Sequence, residues 1–236
     1  MISANEMEHI SQLTKKCENG DIAAMEALAA IYYEDHPEMM KGPAIPLVLD
    51  CYEKSAATGN QRSCLNLGSI CFDGVYTQQD YTKAVELFKT AIQGQDARLS
   101  AIAAAKLGDC YFYGKGVDAD TVKAFDCYLE GILYCNHPIC LYKLGDMYRS
   151  GTFVNQDSKK AYYIYNKAKK ESDMHFFNDG YAEILVRLAE AKIDGIGTEK
   201  DIQGAKKYLM MAQRMPYKSS YPENILPRIE LLQKKL

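Results

Sequence analysis

Tryptophan is absent from this chain of 236 residues, and neither sign of charge dominates it. With 28 basic against 31 acidic side chains the net charge is −3, so the basic excess typical of nucleic-acid-binding proteins is missing. The longest notable uncharged run, Gly131 to Tyr142, falls well short of the ~20 apolar residues that cross a membrane. The N-terminal stretch has neither the basic nor the apolar segment of a signal peptide, and we therefore expect a cytoplasmic protein without nucleic-acid or membrane partners.

What the sequence does contain is one apolar stripe repeated along an ordinary globular composition, 47% hydrophobic and 25% charged. The stripe has the spacing i, i+3, i+4, i+7, which places its members on one side of a helix. Its leucines, at positions 28, 67, 107, 144 and 188, recur at intervals of 37 to 44 residues. The five copies are Met25, Leu28, Ala29 and Tyr32; Cys64, Leu67, Gly68 and Cys71; Ala104, Leu107, Gly108 and Tyr111; Leu141, Leu144, Gly145 and Tyr148; and Leu185, Leu188, Ala189 and Lys192.

A second stripe follows most copies and begins with an alanine, at Ala84, Ala124, Ala161 and Ala205. Between the two stripes stand glycines that are suited to end a helix in a left-handed turn, at positions 74, 114, 151 and 195. Aspartates that are suited to cap the next helix follow them, at positions 80, 120, 157 and 201. Each copy therefore predicts a pair of helices, and the small residue beside each leucine predicts their closest approach.

The pattern Leu-Gly-x-x-Tyr-x-x-Gly, followed by Gly-Val-x-x-Asp-x-x-Lys-Ala-x-x-x-Tyr, is most complete in residues 103–131 and resembles the Sel1-like repeat, a longer relative of the tetratricopeptide repeat. The resemblance implies an all-α fold, a right-handed α/α superhelical solenoid of about five helix-turn-helix repeats in a single domain. The expected repeats are 22–59, 61–95, 101–134, 138–171 and 182–215, with capping helices in 1–20 and 217–236. An insertion, Ser172 to Tyr181, precedes the last repeat.

Eight cysteines raise the possibility of disulfides or of a metal site. Cross-linked members of this family pair one cysteine in each helix of a repeat, but the position expected to pair with Cys64 is held by Ile92 or Ala56. We therefore expect reduced thiols. The set nearest to zinc-ligand spacing comprises Cys127, Cys135, His137 and Cys140, which a tight turn between repeats explains equally well. No metal, cofactor or catalytic residue is predicted.

In this superfamily a further stripe on each first helix lines a concave groove, and here aromatic residues alternate with acids along it. Arg149 is the one basic residue among these positions, so the groove is predicted to bind a peptide or small domain carrying basic and apolar groups. The alternative that its aromatic residues merely pack between repeats stays open. The candidate partner-binding residues are Tyr33, Glu34, Phe72, Asp73, Asp109, Phe112, Tyr113, Tyr142, Asp146, Arg149, Glu190 and Asp194.

The most direct functional interpretation is a non-catalytic scaffold or adaptor for protein–protein interaction. One alternative is a regulatory or immunity-type subunit that masks a single dedicated partner. Another, from a different class, is a hydrolase whose site is built from unrecognised parts, because the four histidines lie far apart and match no catalytic motif.

Overall fold

The computed structural model describes residues 4–175, 180–215 and 225–236, and within them all regular structure is helical. The all-α fold class is thereby confirmed, and consecutive helices pack in pairs. None of the described helices is long and apolar enough to cross a membrane. The α-helices are α1 (Ala4–Glu18), α2 (Ile22–Ala30), α3 (Ala44–Ala57), α4 (Gln61–Asp73), α5 (Tyr81–Ile92), α6 (Ala97–Tyr113), α7 (Thr121–Cys135), α8 (Pro138–Ser150), α9 (Ser158–His175), α10 (Tyr181–Asp194), α11 (Ile202–Arg214) and α12 (Leu226–Gln233).

The chain forms two compact units, residues 1–103 and 104–236. Unit 1 contains α1 to α5 and the start of α6, and a π-helical turn, Ile31–Asp35, extends α2. Unit 2 contains the remainder of α6 and the helices from α7 to α12. The hairpins α6–α7, α8–α9 and α10–α11 of unit 2 carry most of the candidate residues.

The predicted helix ends are confirmed at the turns between paired helices. The glycines that end first helices have positive φ: 66° at Gly74, 66° at Gly114, 75° at Gly151 and 73° at Gly195. The aspartates that cap second helices each accept a hydrogen bond from the backbone N–H three residues ahead: Asp80, Asp120, Asp157 and Asp201. One turn is unusual, since Phe153 has a φ of 65° where the other turns of unit 2 have a second glycine.

The small residues of the first helices lie where each hairpin is tightest, as predicted. A Cβ added at Gly108 would stand 2.5 Å from the ring of Tyr128, and one added at Gly145 would stand 2.5 Å from that of Tyr165. In unit 1, a Cβ at Gly68 would stand 2.8 Å from Phe88. A larger side chain at these positions would therefore displace a buried aromatic ring.

A helix near each end of the chain packs on its neighbours, α1 on α2 and α12 on α10 and α11. Ile10 and Leu13 of α1 are buried in unit 1. In unit 2, Ile225 and Ile229, together with Leu232, are buried against α10 and α11. Residues 176–179 of the expected insertion lie outside the described residues, and α9 continues to His175, into the segment predicted to be inserted.

Candidate protein-interaction face

The first candidate acid of unit 2, Asp109, is directly engaged with its own chain. It follows Gly108 on α6, and its side chain accepts a hydrogen bond of 2.7 Å from the Tyr128 hydroxyl of α7. The Nζ atom of Lys143, on α8 of the next hairpin, lies 2.9 Å from its Oδ1 atom. Asp109 is only 4% exposed and Lys143 only 8% exposed, so this ion pair is largely removed from water.

Asp146 repeats the arrangement one hairpin further along. It follows Gly145 on α8 and accepts a hydrogen bond of 2.7 Å from the Tyr165 hydroxyl of α9. Arg187 of α10 contacts both carboxylate oxygens, with Nε 2.7 Å from Oδ1 and an NH2 group 2.6 Å from Oδ2. Such a two-point contact between guanidinium and carboxylate fixes both side chains more firmly than a single hydrogen bond does.

Glu190 takes the same position on α10, after Ala189. Its cations come from the preceding hairpin and from the C-terminal helix. The NH1 group of Arg149 on α8 lies 2.6 Å from Oε2 of Glu190. Arg228 of α12 donates a hydrogen bond of 2.6 Å to the same oxygen and a second one to Oε1. The terminal helix is thus joined to the series of ion pairs that links α6, α8 and α10.

Arg149 is the one basic residue at the predicted groove positions, but cations at other positions also reach the acids of this face. Lys143 and Arg187 stand two residues before the small residue of their helix and reach back to the acid of the preceding hairpin. That repeated position lies outside the stripe that predicts the groove. The carboxylates of Asp109, Asp146 and Glu190 therefore hold neighbouring hairpins together and are already compensated.

The pairing also sets the ionisation of these groups. Burial alone would raise the pKa of Asp146, but the Arg187 guanidinium outweighs it and holds that pKa below its usual value. Glu190 behaves in the same way, with Arg228 and Arg149 lowering a pKa that burial would raise. These carboxyl groups are ionised at neutral pH.

The aromatic candidates of unit 2 divide into buried and exposed members. Tyr142 is 2% exposed, and the Arg187 guanidinium lies 4.5 Å from the centre of its ring, so it packs between hairpins. Tyr113 is 47% exposed at the end of α6. Its ring meets that of Phe112 edge to face at 5.0 Å, and Lys143 Nζ lies 5.5 Å from its centre. The last candidate, Asp194, lies 3.6 Å from Lys235.

The candidates of unit 1 are likewise engaged with their surroundings. Glu34 pairs with Arg62 at 3.2 Å and accepts a hydrogen bond from Asn66. Tyr33 is half-buried, with its ring 6.0 Å from that of Tyr52 and 6.3 Å from that of Tyr76. Phe72 is buried, with its ring 5.1 Å from that of Tyr81, and Asp73 is half-buried.

No disulfide joins any of the eight cysteines, all of which lie in the described part of the chain. Among the described residues, no three His, Cys, Asp or Glu side chains are grouped as metal ligands, and this includes the set around His137. Burial raises the pKa of the Cys110 and Cys127 thiols to about 12, which keeps them protonated at neutral pH.

The hairpins of this geometry match a known family. The model of the Sel1 repeat matches residues 61–96, 101–132, 138–173 and 183–212, which cover most of the pairs α4–α5, α6–α7, α8–α9 and α10–α11. The chain belongs to the Sel1 repeat family. Its first pair, α2–α3, lies outside the matched residues. No curated protein matches the chain.

Solved structures of Sel1 repeat proteins share the fold. One from Oxalobacter formigenes has a TM-score of 0.70 at 22% identity, covering 89% of this chain and 79% of that one. The protective antigen c5321 of uropathogenic Escherichia coli, which has an SLR fold, has a TM-score of 0.57 at 22% identity, with 86% and 48% covered. A Sel1 repeat protein from Klebsiella pneumoniae has a TM-score of 0.54 at 16% identity, with 95% and 99% covered.

Proposed function

We propose that this Sel1 repeat protein is a non-catalytic scaffold that binds a peptide or small domain of another protein on the first-helix face of unit 2. We define that face as the sides of α6, α8 and α10 that carry Asp109, Asp146 and Glu190. Sel1 repeat proteins are generally scaffolds for protein interaction, which supports this class of function. The observation that carries the proposal is Tyr113, an aromatic ring 47% exposed beside Phe112 on this face.

The ion pairs around Tyr113 favour binding by keeping the surface fixed. Lys143 is held by Asp109 and also lies close to the Tyr113 ring, so these side chains are ordered before a partner arrives. A surface that is already ordered loses less conformational entropy on binding. Half-exposed tyrosines are also common anchors in interfaces, because one ring offers both apolar area and a hydroxyl.

The internal pairing changes the expected chemistry of the partner. The sequence predicts a basic partner because its groove positions are mainly acidic, whereas Lys143, Arg187 and Arg228 already pair with those acids. We therefore propose a partner that contributes chiefly an apolar or aromatic side chain at Tyr113. Binding at this face should depend only weakly on salt, because few of its charges remain uncompensated.

We propose a cytoplasmic location. The support is the set of buried, high-pKa thiols, among them Cys110 and Cys127, which suit a reducing compartment. We also favour a scaffold over a hydrolase, because Sel1 repeat proteins are generally scaffolds for protein interaction.

The proposal is tested by affinity capture with the parent protein, followed by binding measurements with the captured partner. Tyr113→Ala should weaken binding at least about tenfold, as truncation of an anchoring aromatic side chain typically does. Met210→Ala is the control, because Met210 is 52% exposed on α11, a helix that carries no residue of this face. Equal affinity for the parent and Tyr113→Ala, with both keeping the parental melting temperature, would exclude this face.

A further inference from the structure

The outer side of α7 carries apolar side chains that nothing in the described structure covers. Val122, Leu129 and Leu133 are 46%, 38% and 78% exposed. They stand at i, i+7 and i+11, so they follow one line along the helix, opposite the buried Ala124 and Tyr128. Apolar side chains that are exposed singly are common, whereas a line of three forms a patch.

Comparison among the second helices shows that the repeat does not require this patch. The positions equivalent to 122, 126, 129 and 133 are mainly polar or charged elsewhere. They are Thr82, Glu86 and Lys89 in α5, with Gln93 directly after it; Lys159, Tyr163, Asn166 and Lys170 in α9; and Gln203, Lys207, Met210 and Arg214 in α11. The apolar line is therefore particular to α7.

The neighbour of this line is α9, whose outer side is basic. Phe125 of α7 packs against Phe153 in the turn before α9, with ring centres 5.2 Å apart. At the other end, Lys167 of α9 donates a hydrogen bond of 2.8 Å to Asn136, which ends α7. The two helices therefore run side by side in the same direction.

The outer side of α9 carries Lys159 and Lys170 on either side of Tyr163, which is 70% exposed. Both lysines are exposed, and neither forms an ion pair within the described residues. Eleven residues of helix separate them by about 16 Å, the same span as the line from Val122 to Leu133. Two uncompensated positive charges thus run parallel to the apolar line.

Phe153 adds an aromatic ring between the two helices at the cost of backbone strain. Its φ of 65° is uncommon for a bulky residue, and glycines take the equivalent position at 116 and 197 with φ of 74° and 73°. The ring is nevertheless 51% exposed. Residues in such strained backbone conformations cluster at functional sites.

We propose that the α7–α9 outer surface, formed by Val122, Leu129, Leu133, Phe153 and Tyr163 with Lys159 and Lys170, binds an amphipathic helix of a partner protein. The apolar side of that helix packs on the α7 line, and acidic residues along one of its edges meet the two lysines of α9. This surface lies on second helices and is separate from the first-helix face.

Acidic residues on α7 further define the partner helix and disfavour other anionic partners. Asp126 is exposed, and Asp126 and Glu130 lie on the flank of the apolar line away from Phe125 and therefore away from α9. They repel an acidic edge on that flank, so the partner helix carries its acids on the α9 side alone. An anionic membrane or a nucleic acid would meet these carboxylates together with a chain of net charge −3.

The test uses two designed helical peptides and the full chain. Both peptides, about 18 residues long, have leucines along one side, and one edge carries glutamates in the first peptide and lysines in the second. Fluorescence anisotropy should show that the glutamate peptide binds at least about tenfold more tightly than the lysine peptide. The double variant Lys159→Glu with Lys170→Glu should reverse that order, and Leu133→Asp should abolish binding of both peptides.

Two variants serve as matched controls. Leu231→Asp changes a leucine that is 59% exposed on α12, and the double variant Lys16→Glu with Lys41→Glu makes the same charge change in unit 1. Both should bind the glutamate peptide as the parent does.

Three outcomes would overturn the proposal. The first is that the two peptides bind equally tightly, or that neither binds at peptide concentrations up to about 1 mM, near the weak limit of measurable affinity. The second is a concentration-dependent dimer that Leu133→Asp abolishes, which would assign the surface to a second copy of the chain. The third is binding to phosphatidylserine vesicles in place of the peptides.

Discussion

The Tyr128 hydroxyl donates a hydrogen bond of 2.7 Å to Asp109 across the hairpin whose two helices meet at Gly108. The contact depends on the missing side chain at position 108, because a Cβ there would stand 2.5 Å from the Tyr128 ring. One glycine therefore both closes the hairpin and brings a buried tyrosine to the acid that follows it. Asp109 in turn holds Lys143 of the next hairpin.

The close approach at Gly108 predicts a large loss of stability in Gly108→Leu. The added side chain must displace the Tyr128 ring, which should lower the free energy of unfolding by roughly 1–3 kcal/mol or more. Urea denaturation monitored by circular dichroism measures this free energy of unfolding. Thr82→Leu, at an exposed position of α5, is the control, and equal losses in the two variants would contradict the tight hairpin.

Removal of Lys143 leaves the Asp109 carboxylate buried without its cation. Lys143→Met should therefore cost about 3–5 kcal/mol of unfolding free energy, as is typical when one member of a buried pair is removed. Lys54→Met removes a cation from an exposed pair, in which Lys54 Nζ lies 2.7 Å from Asp50, and should cost less than about 1 kcal/mol. Equal costs would show that the 109–143 pair is no more important than a surface contact.

The pKa of Asp146, held low by Arg187 against the effect of burial, predicts a specific acid sensitivity. A carboxyl group with a lower pKa in the folded chain stabilises the fold above its unfolded pKa of about 3.9. That contribution disappears as the pH falls through the folded pKa. Between about pH 5 and pH 3 the parent should therefore lose more unfolding free energy than Asp146→Asn. Parallel pH profiles of the two proteins would contradict this assignment.

Phe153→Gly separates the stability of the fold from binding at the outer surface. Glycine relieves the strain of the φ of 65°, which offsets the lost contact with Phe125, so the free energy of unfolding should stay within about 1 kcal/mol of the parent. The same variant should bind the glutamate-edged peptide more weakly. A large loss of stability would mean that the ring is needed for packing in unit 2.

Much of the fold could be predicted from the sequence because its signals are local and repeated. Gly108 and Gly145, the helix-ending glycine at 114 and the capping Asp120 all act within one hairpin, where spacing alone fixes the role of a residue. The apolar stripe likewise needs only the helical period to be recognised.

The candidate site was predicted less completely because its chemistry joins different hairpins. Arg187 lies 41 residues after Asp146 and Arg228 lies 38 residues after Glu190, so neither partner follows from helical spacing. The sequence predicts that these acids bind a partner protein, and long basic side chains of the next hairpin also reach them. Phe153 was missed for another reason, since it takes a backbone conformation that its residue type normally avoids.

The central claim is that the acids of the first-helix face hold neighbouring hairpins together, and a double-mutant cycle on Asp146 and Arg187 tests it most directly. Unfolding free energies are measured at neutral pH for the parent, Asp146→Asn, Arg187→Met and the double variant. The geometry predicts a coupling energy of at least about 1 kcal/mol, with the double variant more stable than the sum of the single losses implies. A coupling near zero, with both single variants as stable as the parent, would contradict the claim and return Asp146 to the role of a partner-binding residue.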